Sequence, residues 1–129
     1  MDLNYAAIAV AAVAAFLAAF GYYVAFGRQL AAYGSAAAGN ERPSPWLVPV
    51  ELVKHLVIAA VVAGMVASSD IAGVPGGLLL GVALWVAFPV MLLVGSVFHE
   101  KTPWRLAMLH GGDWLLKLLL IAAIVSAWR

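Results

Sequence analysis

The sequence predicts an all-α integral membrane protein, a bundle of four helices. Of its 129 residues, 66% are hydrophobic and only 10% are charged, whereas about one-quarter of a soluble domain is charged. The mean hydropathy is +1.04. Four segments each contain the roughly 20 apolar residues that a helix needs to cross a bilayer. The chain is therefore expected to be a multi-pass membrane protein whose main partner is the lipid bilayer.

Turn-forming segments separate the predicted helices. The helices are expected at residues 5–26, 46–67, 77–98 and 104–128. The breaks between them read GNERPSP, SSDIAGVPGG and HEKTP, which are rich in Gly, Pro, Ser and Asp. The first connection is the longest and has room for a short interfacial helix. All four helices fit a single transmembrane domain, residues 1–129.

The basic residues of the loops predict an orientation, because Lys and Arg are enriched in short cytoplasmic loops. Arg28 and Arg42 lie between helices one and two, and Lys101 and Arg105 lie between helices three and four. The opposite side carries one basic side chain, Arg129. We therefore expect both termini on the outer, periplasmic or extracellular, side of a bacterial cytoplasmic (inner) membrane.

Ionisable side chains occur at membrane depth in helices two and four. They are Glu51, Lys54 and His55 in helix two, and His110, Asp113 and Lys117 in helix four. Spacings of three and four place each set on one side of its helix. Measured at about 1.5 Å per residue from the interfacial Trp residues, the two sets overlap in depth.

We expect the two sets to meet inside the bundle as one charge-balanced network on the cytoplasmic side. Two carboxylates would then face two ammonium groups, which is the form in which buried ions are tolerated. Four residues near the cytoplasmic ends of helices one and three are expected to border this site: Tyr22, Tyr23, Ser96 and His99. An ionisable cluster within a membrane favours a function. Buried pairs of this kind can also act only as structural fasteners.

Glycine and proline within the helices predict local features of packing. Gly111 and Gly112 indicate a close approach of another helix beside His110 and Asp113. Pro89 interrupts the backbone hydrogen bonds of helix three and predicts a kink there.

Motifs at both ends of the chain carry a resemblance to a known family. They comprise Asn4, Gly21-Tyr22-Tyr23 and, at the turn into the last helix, Phe98, Glu100 and Pro103-Trp104-Arg105-Leu106. With these motifs the chain resembles the small bacterial membrane proteins known as domain of unknown function 1761. The resemblance covers nearly the whole chain and implies a four-helix membrane bundle without an established activity.

The sequence departs from the family pattern within helix four. The family tends to have Asn or Asp at the position of His110, and Tyr at the position of Asp113. It is therefore open whether the polar side of helix four has a role that the family shares.

Transport is the first functional hypothesis, in the form of proton- or ion-linked transport of a small polar solute. Glu51, Asp113 and the two histidines would be the titrating groups, because histidine titrates near pH ~6.5 and burial raises the pKa of a carboxyl toward that range. Four helices are too few to alternate access alone, so transport implies a homo-oligomer. The alternative is a non-catalytic membrane subunit or a lipid head-group binding protein, in which Lys54 and Lys117 hold the negative charge.

The remaining classes have less support in the sequence. A metal ion or a b-type haem held by His55 and His110 is a minority interpretation, since two neighbouring lysines disfavour a cation; no cofactor is predicted. No set of nucleophile, base and orienting group is present, so an enzyme is not expected. The net charge of +1 gives no basis for binding nucleic acid, and the chain has no cysteine for disulfides or thiolate ligands.

Overall fold

A computed structural model of the chain describes residues 3–33, 45–71 and 73–128. Their regular structure is helical throughout: α1 (Tyr5–Ala25), α2 (Gly27–Ala32), α3 (Leu47–Ser68), α4 (Gly73–Trp85), α5 (Met91–His99) and α6 (Trp104–Ala127). Arg42 and Arg129, two of the basic residues used to predict the orientation, lie outside the described residues.

Four helical stretches are long and apolar enough to cross a membrane, which confirms this part of the predicted fold. They are α1, α3, α6 and the continuous stretch Gly73–His99, which contains α4 and α5. This third stretch begins earlier than the predicted residue 77, because Pro75 lies in its first turn, where the missing N–H of proline costs no helical hydrogen bond. The short helix α2 follows α1 directly, in the connection where such a helix was expected. The side of the membrane on which the termini lie stays a prediction.

A π-helical turn, Val86–Val90, joins α4 to α5 and contains Pro89. Proline cannot donate a backbone hydrogen bond, and a π turn is one way in which a helix absorbs that loss. Where a kink was predicted at Pro89, the structure has a widened turn within one continuous stretch of helix.

Helix α6 lies at the centre of the arrangement. It packs against α4, α1 and α3, and α1 also packs against α3. Within the described part of the chain, α3 and α4 make almost no direct contact, since α6 lies between them. Small residues of α1 let α3 and α6 approach closely, and the fully buried members of this core include Ala11, Ala12, Ala15, Ala59, Ile121 and Ala122.

Glycines of α4 bring its backbone close to α6. Gly77 and Gly81 are both buried. A Cβ atom at Gly77 would collide with Ser126, and a Cβ atom at Gly81 would lie 3.3 Å from the carbonyl oxygen of Leu118. Two small residues four positions apart are a common contact between membrane helices, because dispersion contacts between close backbones stabilise the pair.

Candidate functional site

Three polar side chains of α6 join one residue of α1 in a connected group, here called the α1–α6 cluster: Tyr23, His110, Asp113 and Lys117. The Tyr23 hydroxyl lies 2.8 Å from Nδ1 of His110 and donates to Oδ2 of Asp113 at 3.2 Å. Nζ of Lys117 lies 2.9 Å from the same Oδ2 atom. The spacing of three and four residues along α6 puts all three α6 side chains toward α1.

The hydrogen bonds of the cluster have a direction. A tyrosine hydroxyl has a single hydrogen, and Tyr23 gives it to Asp113. In that arrangement the ring of His110 donates its Nδ1–H to the Tyr23 oxygen, and its Nε2 atom carries the free lone pair or a second proton. The chain of donors runs from His110 through Tyr23 to Asp113, where Lys117 donates from the other side.

The ion pair of the cluster is buried within the protein. The side chains of Asp113 and Lys117 are 3% and 9% exposed. Burying two charges costs several kcal/mol for each ion, and only good geometry with further hydrogen bonds offsets this cost. Here Lys117 also lies over the ring of Trp114, with its Nζ atom 4.4 Å from the ring centroid. Oδ1 of Asp113 is buried without a hydrogen-bond partner in the described part of the chain.

Hydrogen bonds from two neighbouring helices hold α6 in place beside the cluster. The Tyr22 hydroxyl of α1 donates to the carbonyl oxygen of Leu109 at 2.6 Å. Trp85 of α4 donates from Nε1 to the carbonyl oxygen of Gly111 at 2.8 Å. Gly112 is needed for the first contact, because a Cβ atom there would collide with the Tyr22 hydroxyl.

The helix-two set is divided between two environments. Glu51 and Lys54 of α3 form an ion pair at 3.0 Å, with side chains 40% and 55% exposed. His55 points inward and is 1% exposed. Its Nδ1 atom donates to the Glu51 carbonyl oxygen at 2.6 Å, and its ring meets the ring of Phe16 edge-on, with centroids 6.1 Å apart. Nε2 of His55 has no hydrogen-bond partner among the described residues.

The two predicted sets are not joined directly. Within the described residues, no hydrogen bond or ion pair connects Glu51, Lys54 or His55 to the three polar side chains of α6. The polar side of α6 connects to helix one, through Tyr23, rather than to helix two as expected. The reason is that Glu51 and Lys54 satisfy each other within one turn of α3 and stay exposed.

The four predicted border residues have different positions. Tyr23 is a member of the cluster, and Tyr22 lies beside it with the two rings perpendicular and 5.4 Å apart. Ser96 and His99 make no side-chain hydrogen bond within the described residues; the Ser96 carbonyl accepts the backbone N–H groups of Glu100 and Thr102, which ends α5.

Sequence reasoning missed three residues that shape the site. It gave Tyr23 only a border position, and it assigned no place in the site to Trp85 or Trp114. A signal for Tyr23 and Trp85 was present, because a hydroxyl or indole N–H at membrane depth needs a partner. The described residues contain no group of three or more His, Asp or Glu side chains arranged to hold a metal ion.

Comparison with known proteins identifies the family of the chain. Neither the curated proteins nor the solved structures include a match. The family model described as "Protein of unknown function (DUF1761)" matches residues 6–126, a range that contains the α1–α6 cluster and the Glu51–Lys54 pair. The chain therefore belongs to the DUF1761 family.

Proposed function

We propose that the chain is a membrane protein of the cytoplasmic membrane that links proton movement to the transport of a small polar solute, with the α1–α6 cluster as its proton-exchanging site. The observation that supports this function is the buried Asp113–Lys117 pair, bonded through Tyr23 to His110. Ionisable residues inside membrane helices are rare and costly, and they usually mark proton, ion or substrate pathways.

The donor chain offers a route for a proton from the imidazole to the carboxylate. A proton that binds Nε2 of His110 makes the ring cationic, and the ring can then release its Nδ1 proton to the Tyr23 oxygen. Tyr23 in turn passes its own hydrogen to Oδ2 of Asp113, across the 3.2 Å hydrogen bond. One proton enters at His110 and one is gained by Asp113, while Tyr23 and His110 each return to a neutral state. No backbone movement is required.

Protonation of Asp113 would change the partner of Lys117. The ion pair becomes an ammonium group beside a neutral acid, and an uncompensated buried charge costs about 3–5 kcal/mol. A solute with a negative group restores the charge balance by taking the place of the Asp113 carboxylate next to Nζ of Lys117. Proton uptake and solute binding are linked in this way, and the preferred solute is a small molecule that carries a carboxylate or another anionic group.

The orientation predicted from the basic loops puts the His110 end of the cluster toward the cytoplasm. Beyond Lys117, α6 continues with apolar residues as far as Val125, so no ionisable group of α6 extends the route. Access from the other side then requires a change of conformation, and we expect a homo-oligomer to provide the surface against which the four helices move.

Replacing each of two carboxylates by its neutral amide tests this function. Asp113→Asn removes the carboxylate of the buried pair, and Glu51→Gln removes the carboxylate of the exposed pair. In proteoliposomes that contain a pH-sensitive dye, we expect proton entry driven by external dicarboxylates or amino acids for the wild type and for Glu51→Gln, and none for Asp113→Asn. Equal proton entry by all three proteins would leave the buried pair as a structural fastener and contradict the proposal.

A readout without solute separates proton binding from transport. Infrared difference spectra after a step to lower pH should contain a carboxylic-acid band that is lost in Asp113→Asn and kept in Glu51→Gln. The loss of the same band in Glu51→Gln alone would move the proton-exchanging site to α3.

The alternative of a lipid head-group site formed by Lys54 and Lys117 has less support. Each of these ammonium groups is bound by a carboxylate of its own helix, at 3.0 Å and 2.9 Å. A head group would have to displace that carboxylate before it could bind.

A further inference from the structure

A second concave surface lies at the end of the helices where α1, α2 and α6 meet, and it is separate from the α1–α6 cluster. This α2 groove has a volume of about 480 Å³. Its walls are largely aromatic and apolar, and they include Phe26, Gln29, Tyr33, Trp104, Arg105 and Met108. The volume falls within the range of small-molecule sites in proteins, about 300–1,000 Å³.

Arg105 is held within the groove by two aromatic rings. Its guanidinium carbon lies 5.3 Å from the ring centroid of Trp104 and 6.0 Å from that of Tyr33. No hydrogen bond or carboxylate engages the side chain of Arg105 within the described residues. A guanidinium group that stacks on aromatic rings keeps its N–H donors in the plane free, and these donors match the oxygens of a phosphate in pairs.

The rest of the groove is suited to an apolar chain. Phe26 and Met108 extend its wall, and Met108 is 66% exposed. The anchoring residue Leu30 is 5% exposed and holds the short α2 against the long helices. Since the groove lies at the ends of two helices of membrane-spanning length, its Arg105 belongs at the head-group level, where Trp and Arg side chains are favoured.

We propose that the α2 groove binds one anionic phospholipid. The phosphate is held by Arg105 with Gln29 as a further donor, and the upper part of an acyl chain lies along Phe26 and Met108. Charge complementarity selects this occupant, because Arg105 is the charged residue that lines the groove and it lacks an anion among the described residues. The groove is too small for a whole lipid and fits a head group with the first part of a chain.

This inference is independent of proton-linked transport. Tyr22 lines the groove and separates it from Tyr23, with the two rings perpendicular. A lipid can therefore bind whether or not the cluster exchanges protons, and failure of one proposal leaves the other in place.

Native mass spectrometry of the full chain tests the lipid site with phosphatidylglycerol and phosphatidylcholine as probes. We expect the wild type to retain one phosphatidylglycerol in preference to phosphatidylcholine. Arg105→Gln should lower this preference about fivefold, the usual effect of one basic residue at a membrane surface. The control is Arg28→Gln, which removes an exposed charge of α2 that does not line the groove and should leave the preference unchanged. Equal retention of both lipids, or an equal effect of the two substitutions, would overturn the proposal.

A groove-filling variant and a competition with the free head group locate the lipid and distinguish it from a soluble anion. Met108→Trp fills the groove and keeps Arg105, so it should lose the bound phosphatidylglycerol while circular dichroism shows unchanged helicity; retention of the lipid would place it elsewhere. Glycerol phosphate, the free head group, should not displace the lipid, because it lacks the chain that the apolar wall binds. Displacement by glycerol phosphate at comparable concentration would identify a soluble anion as the occupant and contradict a lipid.

Discussion

The two ion pairs seen among the described residues are alike in sequence and differ in their surroundings. Glu51–Lys54 and Asp113–Lys117 both join an acid to a lysine of the same helix, three and four residues later, at 3.0 Å and 2.9 Å. The first pair has half-exposed side chains and no third partner in the described structure. The second pair is almost completely buried and shares its acceptor oxygen with Tyr23.

Neighbouring helices, rather than the spacing of the charges, decide the role of each ion pair. Spacing along one helix brings the charges together in both cases. Only the α6 pair is covered by α1, which excludes water and supplies the Tyr23 hydroxyl. The low polarity of the buried site strengthens each interaction inside the cluster, so the loss of any partner is strongly destabilising.

The largest effect is expected from removing one charge of the buried pair. Asp113→Asn leaves the ammonium group of Lys117 buried without a counter-charge, so we expect the free energy of unfolding to fall by about 3–5 kcal/mol. Reversible unfolding in mixed detergent micelles measures this change. A loss below about 1 kcal/mol would show that the pair is as well hydrated as a surface pair.

Removing both charges should restore most of this loss. In the double variant Asp113→Asn with Lys117→Met, no uncompensated ion is buried, and an apolar pair in such a site is often as stable as the ionic one. The double-mutant cycle should give a coupling energy of at least about 2 kcal/mol. Additive single effects would mean that the two side chains do not depend on each other.

The burial of the α6 pair depends on the close approach of α1, which a glycine permits. Gly112→Ala places a Cβ atom against the Tyr22 hydroxyl and should lower the free energy of unfolding by about 1–3 kcal/mol, the usual effect of overpacking. Gly111→Ala is the matched control, since its Cβ would lie 3.5 Å from Leu93, an ordinary contact. Equal losses for the two neighbours would show that α1 does not pack against Gly112 as described.

The third partner of the buried pair should have a smaller, separate effect. Tyr23→Phe removes the hydrogen bonds to Asp113 and to Nδ1 of His110, for which we expect a loss of about 1–2 kcal/mol. Tyr5→Phe removes the hydroxyl of a tyrosine that is 76% exposed and should have no measurable effect. The comparison fails if the two variants unfold at the same denaturant concentration.

The exposed pair should have the smallest effect. Glu51→Gln and Lys54→Gln should each lower the free energy of unfolding by about 0–1 kcal/mol, because exposed ion pairs gain little over hydration. A loss of about 3 kcal/mol or more in the same unfolding assay would mean that another chain or segment buries this pair, since only buried pairs depend so strongly on one partner.

Much of the fold could be predicted from the sequence because hydropathy and turn residues act locally. The four long helices follow from apolar runs that contain few charges, and the irregular turn follows from Pro89. The polar side of α6 could also be predicted, since spacings of three and four fix which side chains share a side of a helix. None of these inferences requires knowledge of a second helix.

The pairing of helices could not be predicted in the same way. In a soluble protein an amphipathic pattern tells the buried side of a helix from the exposed one. Here the lipid-facing and protein-facing sides are both apolar, so the sequence of α3 does not reveal that His55 faces inward and that Glu51 and Lys54 do not. For the same reason, the sequence does not show that the polar side of α6 faces Tyr23.

The helix at the centre of the arrangement is the one that is synthesised after the other long helices. Helix α6 follows the other long helices along the chain, yet α1, α3 and α4 all pack on it. Because synthesis proceeds from the N-terminus, the earlier helices enter the membrane before their common partner exists. The pair α1–α3 can form early, but the contacts with α6 wait until α6 inserts. A chain interrupted before Trp104 leaves the Tyr22 and Tyr23 hydroxyls and the Trp85 indole without their acceptors on α6. These three unsatisfied donors distinguish an unfinished molecule from a finished one.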